Sequence, residues 1–570
     1  MRVTLNYNLA NRLLMRYRRH SLKPLNLISL ALAMLVAVPV IAVGLNVFGG
    51  GTGETWRHLL DTVLADYVVN SLILCTGVGV CVGLLGTGAA WLVTHYEFRG
   101  RQLAQWALLL PMAMPAYVLA YTYTDFLQFA GPLQSALREA FGWHKADYWF
   151  PDVRSISGAI VLFSCVLYPY VYLLARAAFI ERAGSMVDAA RALGLSPWQS
   201  FRQVTMPLAR PAIAAGIALA LMETLADYGT VAYFAVNTFT TGIYRAWYSL
   251  GDRVAAAQLA ACLLAGVLVL LVIEQASRGR ARFHGTGSNQ RHQHHRPNEL
   301  FGVRALLAQI ACLIPIVVGF ILPAGLLLRL ALDSGDAQFG SRFLILARNS
   351  FGVALITALL AVGLALLLAY AARQSNGSGR NFLPRLYRRV VGLGYAVPGS
   401  VIAVGVLIPV TRLDSVLAQW WQYAFGVNPG LMLTGGIAAL IYAYLARFLA
   451  IALQSLDAGF ARITPSMDAA ARSLGAGSGE TLRRVHLPLL RGSMLTAGLL
   501  VFVDVMKELP ATLVMRPFNF DTLATQTYAL ATDERLGEAS TAALAIVAVG
   551  LIPIIVLSRQ IARGRGAATN

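Results

Sequence analysis

The sequence predicts an all-α polytopic membrane protein with about 12 transmembrane helices in two parallel six-helix repeats. Three observations predict this fold class. Hydrophobic residues make up 57% of the 570 residues and charged residues only 13%, whereas soluble domains carry roughly 25% charged residues. Apolar stretches of membrane-spanning length recur along the whole chain. Segments of the first half return in the second half at a nearly constant spacing, which indicates an internal duplication.

Apolar stretches long enough to cross a bilayer, which takes about 20 residues per helix, define the predicted spans. The first stretch follows a basic lead of about 25 residues and is longer than the apolar core of a signal peptide, so we expect it to be retained as a membrane helix. The fifth and eleventh stretches contain acidic residues. The predicted spans are 26–48, 67–94, 103–129, 157–180, 209–234, 254–275, 303–331, 351–372, 389–411, 431–453, 492–515 and 540–558.

Arginine-rich segments determine the predicted orientation. Lys and Arg remain preferentially on the cytoplasmic side of a membrane, and twelve spans place all of these segments on one side. We therefore expect both termini in the cytoplasm, and we interpret the net charge of +19 as membrane topology rather than nucleic-acid binding. The segments are the N-terminal lead, 95–102, 181–210, 277–300, 373–389, 454–491 and the C-terminal tail.

The two halves of the chain resemble each other in order. The stretch from Asn70 resembles the stretch from Asn349, and Pro115 pairs with Pro398. Each half holds an even number of spans, so the repeats are parallel rather than inverted. The predicted organisation is a cytoplasmic N-terminal segment 1–25, a first repeat 26–276, a cytoplasmic linker 277–300, a second repeat 301–560 and a cytoplasmic tail 561–570.

The linker contains four histidines, His284, His292, His294 and His295. They could bind a metal, but no Cys or carboxylate cluster completes a site, so a solvated connector is the favoured interpretation. Metal ligands elsewhere in the chain remain unassigned.

A polar segment of the first repeat, DAARALGLSPWQSFRQVTMPLAR at 188–210, interrupts the apolar pattern. The residues from Asp188 to Leu193 are predicted to form a short helix, with the acid near its start where the helix dipole favours an anion. Gly194 is predicted to adopt the left-handed conformation that ends a helix.

The rest of this segment predicts a second helix. Ser196 and Gln199 have the spacing of a capping box, with a proline in the first turn between them. Pro207 is predicted to end the second helix and to redirect the chain into the next span. We call the resulting helix-turn-helix at 181–210 the first elbow.

A second elbow, at 461–491, carries the related sequence AAARSLGAGSGETLRRVHLPLLR. Its Gly475 and Pro488 correspond to Gly194 and Pro207 of the first elbow. The cap of its second helix is predicted at Gly477 or Ser478. Two copies at matching places predict a surface that docks two similar partners, whereas a single copy would be explained by well-terminated interfacial helices.

Both elbows resemble the EAA loops of ABC importer permeases, in which the loop forms the coupling helix that sits in a cleft of a cytoplasmic ATPase. This resemblance implies the type I ABC importer (MetI-like) permease fold, two copies of a partner ATPase, and a periplasmic or lipid-anchored substrate-binding protein. One position departs from the pattern: Asp188 has the family's acid, but the second copy has Ala469 there and Asp468 one residue earlier. The implied docking residues are Asp188, Ala189, Ala190, Gly194, Pro207, Ala470, Ala471, Gly475 and Pro488.

Longer segments such as PAYVLAYTYTDFLQFAGPLQ and KELPATLVMRPFNFDTLATQTY resemble the fused permeases of ferric iron importers, in which one chain supplies both membrane halves. The resemblance implies a bacterial inner-membrane location and alternating access driven by ATP hydrolysis in the partner. It leaves open a fused permease for thiamine, a phosphonate or another small solute.

The chain itself is not expected to be an enzyme or to bind a cofactor. Its three lysines, Lys23, Lys145 and Lys507, all lie outside a phosphate-binding loop of the Walker A type. ATP hydrolysis is therefore expected in a partner subunit. An ion-coupled secondary transporter is the alternative from another class, since such proteins also have two parallel six-span halves.

Acidic residues within the fifth and eleventh spans are candidates for the substrate path, because charges inside a membrane are costly and usually face a bundle interior or water. The alternative is that these acids satisfy helix ends at the breaks that follow. Tyr117 and Tyr121 are further candidates, since phenol oxygens suit a hard cation such as ferric ion. We call Glu223, Asp227, Asp504 and Glu508 the acid cluster.

Overall fold

The structure, a computed structural model, describes residues 24–47, 53–277, 298–333, 340–375 and 382–566. The regular secondary structure of the described residues is helical apart from one short parallel pairing of Tyr96–Glu97 (β1) with Asn298–Glu299 (β2). The basic lead and the four linker histidines lie outside the described residues, so their predicted roles stay predictions.

The first repeat begins with a helix at Pro24 and ends with one at Ser277. Its helices are α1 (Pro24–Asn46), α2 (Gly53–Thr62), α3 (Leu64–His95), α4 (Arg101–Ala107), α5 (Ala116–Leu127), α6 (Pro132–Phe141), α7 (Ile156–Ala192), α8 (Pro197–Ser200), α9 (Met206–Ala226), α10 (Gly229–Tyr233), α11 (Phe239–Tyr244) and α12 (Arg253–Ser277). Two π-helical turns, Phe201–Thr205 and Arg245–Ser249, follow α8 and α11 directly.

The second repeat has a comparable series of helices. They are α13 (Gly302–Ile316), α14 (Leu322–Asp333), α15 (Ser341–Ser375), α16 (Phe382–Leu393), α17 (Gly399–Phe425), α18 (Ala438–Ala461), α19 (Pro465–Ser473), α20 (Ser478–Thr481), α21 (Leu487–Met506), α22 (Pro510–Met515), α23 (Leu523–Thr532) and α24 (Leu536–Gly566). A π-helical turn, Leu482–His486, joins α20 to α21.

Membrane-spanning helices occur where the apolar stretches predicted them. Eleven helices of the described chain are long and apolar enough to span a bilayer, and a twelfth span is formed by a pair of helices bent by 90°. Three predictions need correction. The fifth helix stops at Ala226 and the eleventh at Met506 rather than at 234 and 515, and the ninth runs over Gly399–Phe425 rather than 389–411. The chain leaves the helical path at Asp227 after the fifth helix and at Lys507 and Glu508 after the eleventh, and a separate short helix follows in both places.

A proline interrupts the third predicted span of each repeat. Pro115 has φ −62° and ψ 139° and directly precedes α5, and Pro398 has φ −57° and ψ 144° and directly precedes α17. The extended conformation before each helix follows from the proline ring, which removes an amide donor and clashes with a helix on its N-terminal side.

The described chain divides into two compact units, and neither coincides with one sequence repeat. The smaller unit is formed by Met1–Val38, Thr357–Tyr395 and Leu445–Val501. The larger unit is formed by Pro39–Ile356, Ala396–Tyr444 and Phe502–Asn570. The larger unit therefore contains segments of both repeats, including all four members of the acid cluster and the first elbow, whereas the second elbow belongs to the smaller unit.

Within the larger unit, glycines allow the backbones of three long helices to approach one another closely. A Cβ atom on Gly86 of α3 would lie 2.6 Å from the Cβ atom of Val171 in α7, and a Cβ atom on Gly216 of α9 would lie 2.7 Å from the Cα atom of the same valine. Small residues at helix contacts are the usual route to close packing in membranes, where hydrophobicity alone does not drive helix association. This packing holds α9, the helix that follows the first elbow, against α3 and α7.

Candidate functional site

The turn of the first elbow ends a helix in the predicted way. Gly194 has φ +88°, in the left-handed region, and the Leu195 N–H donates a hydrogen bond of 3.1 Å to the Ala190 carbonyl. In the second elbow, Gly475 has φ +83° and the Ala476 N–H donates a bond of 3.0 Å to the Ala471 carbonyl. Both are Schellman motifs, which require a residue without a Cβ atom at the left-handed position.

The prediction of a separate short helix before the first turn is wrong. α7 runs without interruption to Ala192, so Asp188 lies in its last turns and cannot benefit from the dipole at a helix start. The second elbow does have a separate helix, α19, because Pro465 cannot continue the preceding helix, whereas the corresponding residue of the first elbow is Gly184.

The second helix of the first elbow begins at the predicted capping box. The Ser196 N–H donates to Gln199 Oε1 over 2.9 Å, and the Gln199 N–H donates to Ser196 Oγ over 3.3 Å. These bonds satisfy two amide groups that the helix leaves unpaired. In the second elbow the cap is Gly477, one of the two predicted residues, and it makes no side-chain cap bond.

The predicted end of the second helix at Pro207 is wrong, and the same holds at Pro488. The chain stays helical through both prolines, from Trp198 to Ala226 in the first repeat and from Ser478 to Met506 in the second. A π-helical turn lies immediately before each proline-bearing helix, with the Met206 N–H bonded to the Phe201 carbonyl and the Leu487 N–H to the Leu482 carbonyl. Each wider turn moves carbonyl groups out of the normal ladder, and such turns recur at functional sites.

Asp468 holds the second elbow in place. The sequence analysis noted this acid only because it lies one residue before the position of the family's acid. Asp468 Oδ2 accepts a hydrogen bond of 2.8 Å from Arg373 Nε, and Asp468 Oδ1 lies 2.7 Å from Nε2 of the buried His486. Arg373 also donates to the carbonyls of Phe460 and Ile463 over 3.0 and 2.9 Å. Asp468 therefore ties the start of α19 to α15 and to the π-helical turn before α21.

Neither partner of Asp468 has a counterpart in the first elbow. At the repeat spacings of 279 and 281 residues, Arg373 corresponds to Thr94 and His486 to Thr205. No repeat signal existed that could have identified the pair from the sequence. The two elbows are therefore built differently, as the displaced acid suggested.

An exposed leucine directly before each turn glycine was missed by the sequence analysis. Leu193 is 84% exposed and Leu474 is 87% exposed, although both are large and apolar. Ala190 and Ala471, by contrast, are buried at the inner side of the two turns. Leu193 and Leu474 occupy equivalent repeat positions, and this identity was the signal that could have found them.

At the far end of the helix that follows the first elbow, Asp227 caps the next helix. Its Oδ1 accepts the Thr230 N–H over 2.8 Å and the Val231 N–H over 3.4 Å, and its Oδ2 accepts the Thr230 hydroxyl over 3.1 Å. These groups belong to α10. The carboxylate therefore satisfies the helix end that follows the break after Ala226.

Glu508 makes the same arrangement in the second repeat. Its Oε1 accepts the Ala511 N–H over 3.1 Å, and its Oε2 accepts the Thr512 N–H over 3.1 Å and the Thr512 hydroxyl over 3.0 Å. The side chain is only 4% exposed. Asp227 and Glu508 thus make the bonds expected from the alternative prediction, in which the acids satisfy helix ends.

Tyr117 lies near both of these acids. Asp227 and Glu508 both act electrostatically on its phenol group, and a Cβ atom on Gly229 would lie 2.7 Å from both Tyr117 Cβ and Leu509 Cδ2. Its ring centre lies 5.8 Å from that of Tyr121. The hydroxyls of both tyrosines are buried and have no hydrogen-bond partner among the described residues.

The other two acids of the cluster lie near one cation. Lys507 Nζ lies 2.9 Å from Asp504 Oδ1, and Glu223 acts on the same ammonium group electrostatically. The residue that corresponds to Lys507 in the first repeat is Ala226. The structure thus brings together all four acids and both candidate tyrosines, with one positive charge among them.

The acid cluster is not arranged as a resident metal site. Among the described residues, no three His, Cys, Asp or Glu side chains are grouped so as to hold a metal ion. Asp227 and Glu508 already accept three hydrogen bonds each from their own following helices. Chemically, the cluster provides a negatively charged interior beneath buried phenols.

Several proteins that are similar in sequence to this chain are named as transport permeases. Residues 82–282 match the family described as binding-protein-dependent transport system inner membrane component. The chain is 26% identical over 540 residues to the Fe(3+)-transport system permease protein FbpB 2 of Haemophilus influenzae, which covers 94% of this chain and 98% of that protein. It is 24% identical over 514 residues to the ferric transport system permease protein FbpB of Actinobacillus pleuropneumoniae, across 85% of this chain and 70% of the relative.

A sulfate permease matches a shorter part of the chain. The sulfate transport system permease protein CysT of Escherichia coli is 26% identical over 248 residues, which is 42% of this chain and 86% of that protein. The long match to the ferric permeases and the short match to the sulfate permease agree with a chain in which two permease halves are fused. The protein is therefore an all-α, multi-pass membrane protein with the MetI-like permease fold, and its residues 82–282 match the family described as binding-protein-dependent transport system inner membrane component.

Proposed function

We propose that this chain is the membrane subunit of an ATP-driven ABC importer for ferric ion in a bacterial inner membrane, with both termini in the cytoplasm. A periplasmic or lipid-anchored binding protein delivers the ion at the outer face. Two copies of a cytoplasmic ATPase dock on the two elbows and supply the energy, since this chain has no phosphate-binding loop of its own.

One observation carries this proposal: in both repeats a continuous helical segment connects the elbow to the break at which Asp227 or Glu508 caps the next helix. In each repeat a helical segment of 29 residues joins the elbow to the break, a distance of about 43 Å at 1.5 Å per residue. A displacement of an elbow is therefore transmitted along one helix to the residue beside Asp227 or Glu508. ATPase closure at the elbows would in this way open and close the path at its other end.

The docking surface combines the two features that distinguish the elbows from ordinary turns. Each turn presents an exposed leucine, Leu193 or Leu474, on a backbone fixed by a left-handed glycine. A partner that covers the turn would bury each leucine, and removal of this apolar surface from water favours association. The arginine-rich surroundings keep these turns on the cytoplasmic side.

Ferric ion is favoured as substrate by the relatives that align over most of the chain, whose names are those of ferric permeases. The carboxylates and phenols of the acid cluster and of Tyr117 and Tyr121 are oxygen donors, which suit a hard cation. The acids contribute as a negative interior, which lowers the cost of moving a trivalent cation through a low-dielectric region.

Replacing the turn glycines tests the docking role. A Cβ atom at Gly194 or Gly475 would meet open space, so a Gly→Val change acts through the positive φ and not through a clash. We expect Gly194→Val and Gly475→Val to lower ATPase association and uptake at least several-fold while membrane insertion persists, as measured by pull-down, by transport and by the amount of protein in membranes. Gly479→Val is the matched control, since Gly479 also faces open space but has no positive φ. Normal transport in both variants would disprove the docking role.

Reconstitution tests the transport class and the substrate. The chain in proteoliposomes with its ATPase and binding protein should take up ferric ion only when ATP is present on the ATPase side. Uptake by the chain alone would instead identify an ion-coupled secondary transporter. Uptake of sulfate, thiamine or a phosphonate in place of ferric ion would contradict the substrate assignment and retain the importer class.

A further inference from the structure

Beside the acid-capped breaks lies an open cavity of about 550 Å³ with an unusual lining. It lies entirely within the larger compact unit, at the end of α9 that is remote from the first elbow. Four tyrosines contribute to its wall, together with an ion pair between Arg516 and Asp521. We call it the tyrosine cavity, after Tyr228, Tyr244, Tyr248 and Tyr528.

Two of these phenols converge from different repeats. The rings of Tyr228, in the first repeat, and Tyr528, in the second, both line the cavity, and their centres lie 5.8 Å apart. Phenol oxygens on two neighbouring rings can occupy adjacent positions around one cation. The hydroxyls of Tyr244 and Tyr248 instead donate to the backbone carbonyls of Pro510 and Leu513, so Tyr228 and Tyr528 form the pair that offers its oxygens to a ligand.

The chemistry of the lining selects a hard cation. The described residues that line the cavity offer phenol, carboxylate and amide oxygens, and none of them is a histidine or a cysteine. Softer metals prefer imidazole or thiolate ligands, whereas a small trivalent cation prefers oxygen. The Arg516–Asp521 pair is electrically balanced and adds no net positive charge that would repel a cation.

The position of the cavity connects it to the acid cluster. Tyr228 directly follows Asp227, and its ring stacks on that of Tyr244 with a centroid distance of 3.7 Å. Glu508 acts electrostatically on Tyr244, and Asp227 acts on Tyr528. Both acids are therefore near the cavity wall, and their charges would attract a cation held in the cavity.

We propose that the tyrosine cavity is a binding site for ferric ion on the membrane subunit itself, with Tyr228 and Tyr528 as its protein ligands. This inference rests on the proposed function, because it takes the transported ion to be ferric. On binding, each phenol loses its proton to solvent and its oxygen forms a bond to the metal, so two protons leave and the charge of the site falls from +3 to +1. The remaining positions are filled by water or by the chelator that carried the ion, and no oxidation or reduction takes place.

Visible spectroscopy of the full chain tests this site, because phenolate bound to ferric ion absorbs visible light through charge transfer. The detergent-solubilised protein is titrated with ferric nitrilotriacetate. We expect a saturable charge-transfer band in the native chain and a loss of at least tenfold in its intensity in Tyr228→Phe and in Tyr528→Phe. The matched control is Tyr423→Phe, because Tyr423 is 94% exposed and lies outside the cavity.

The outcomes separate this site from the proposed function. A native chain without the band, or a band of native intensity in both cavity variants, overturns the site. Circular dichroism and gel filtration establish that each variant is folded before its spectrum is compared. Ferric uptake by the reconstituted importer is measured in parallel: uptake without a band overturns the site alone, whereas absence of ferric uptake overturns the substrate assignment on which the site rests.

Discussion

Asp468 is held in its charged form at the second elbow. Burial acts to raise the pKa of this carboxyl, but the hydrogen bonds from Arg373 and His486 outweigh burial and hold the pKa below its usual range. A group whose pKa is lowered by folding stabilises the fold above its unfolded pKa, here near 3.8, and this contribution is lost as the pH falls through the lower folded pKa. The contribution of Asp468 is therefore fully present at neutral pH and disappears only in strong acid.

Neutralising Asp468 should loosen the second elbow. We expect Asp468→Asn to lower the free energy of unfolding by about 3 kcal/mol, because it leaves the largely buried Arg373 without its charged partner. The measurement is the midpoint of thermal unfolding, together with protease cleavage near residue 475. Glu480→Gln serves as the control, since the Glu480–Arg484 pair is exposed and such pairs contribute about 0.4 kcal/mol. Equal effects of the two changes would contradict the assigned role of Asp468.

Gly229 is the residue at which Tyr117 and Leu509 approach one backbone. We expect Gly229→Ala to cost about 2 kcal/mol of stability, the usual penalty for overpacking a filled site, because the new methyl group would lie 2.7 Å from both neighbours. Thermal unfolding of the purified chain measures this cost. Gly266→Ala, at a position with no atom within 4 Å of the new Cβ atom, should change the midpoint little. A stable Gly229→Ala variant would show that the contact around Tyr117 is not tight.

At the scale of elements, the two elbows share a turn and differ in what precedes and caps their helices. The turn glycine, the π-helical turn and the following proline occur in both repeats at the same spacing. The first elbow continues a long helix and is capped by a side chain, whereas the second begins a new helix and is capped by backbone alone. Each of the two proposed ATPase subunits would therefore meet the same turn geometry on a differently supported helix.

The capping box predicts a difference between the elbows that can be measured. Ser196→Ala removes the acceptor of the Gln199 N–H, and we expect a loss of about 1 kcal/mol in local stability. Hydrogen exchange of the amides that follow Pro197 measures this loss. Ser478→Ala is the matched change in the second elbow, where Gly477 is the cap, and we expect exchange there to stay at the native rate. Faster exchange in both variants would contradict the difference in capping.

At the scale of the whole molecule, the two repeats contribute to the same compact unit. Asp227 from the first repeat and Glu508 from the second both act electrostatically on Tyr117. Each acid caps a helix and also places a negative charge in the interior. These two roles make different demands on the side chain, so substitutions can separate them.

Amide and alanine variants of these acids distinguish a role in capping the following helix from a role in the substrate path. Asp227→Asn keeps the one oxygen that accepts both backbone N–H bonds, so we expect its unfolding midpoint to stay within about 2 °C of the native value. Glu508→Gln keeps only one of the two oxygens that accept the Ala511 and Thr512 N–H groups, so we expect it to lose about 1 kcal/mol of stability. Loss of the charge should lower ferric uptake several-fold in reconstituted vesicles. Asp227→Ala and Glu508→Ala should lower both stability and uptake. Native uptake in both amide variants would leave the acids with the capping role alone.

The sequence predicted the spans and turns well because these depend on local patterns. Apolar stretches located the membrane helices, and glycine, serine and proline located the Schellman turns, the capping box and the breaks at Pro115 and Pro398. The errors arose where a local signal competed with a longer helix. Pro207 and Pro488 do not end their helices because a π-helical turn accommodates each proline, and Asp188 does not begin a helix because its predecessors continue α7.

By itself, the sequence determined the all-α membrane fold, the duplication, the two elbows and the presence of acids inside two spans, because hydropathy, charge and spacing record these directly. Only the tertiary structure decided what the acids contact, that Asp468 binds Arg373 and His486, and that tyrosines of both repeats line one cavity. The physical reason is that these contacts join residues distant in the chain, and helix packing alone brings their side chains within hydrogen-bond distance.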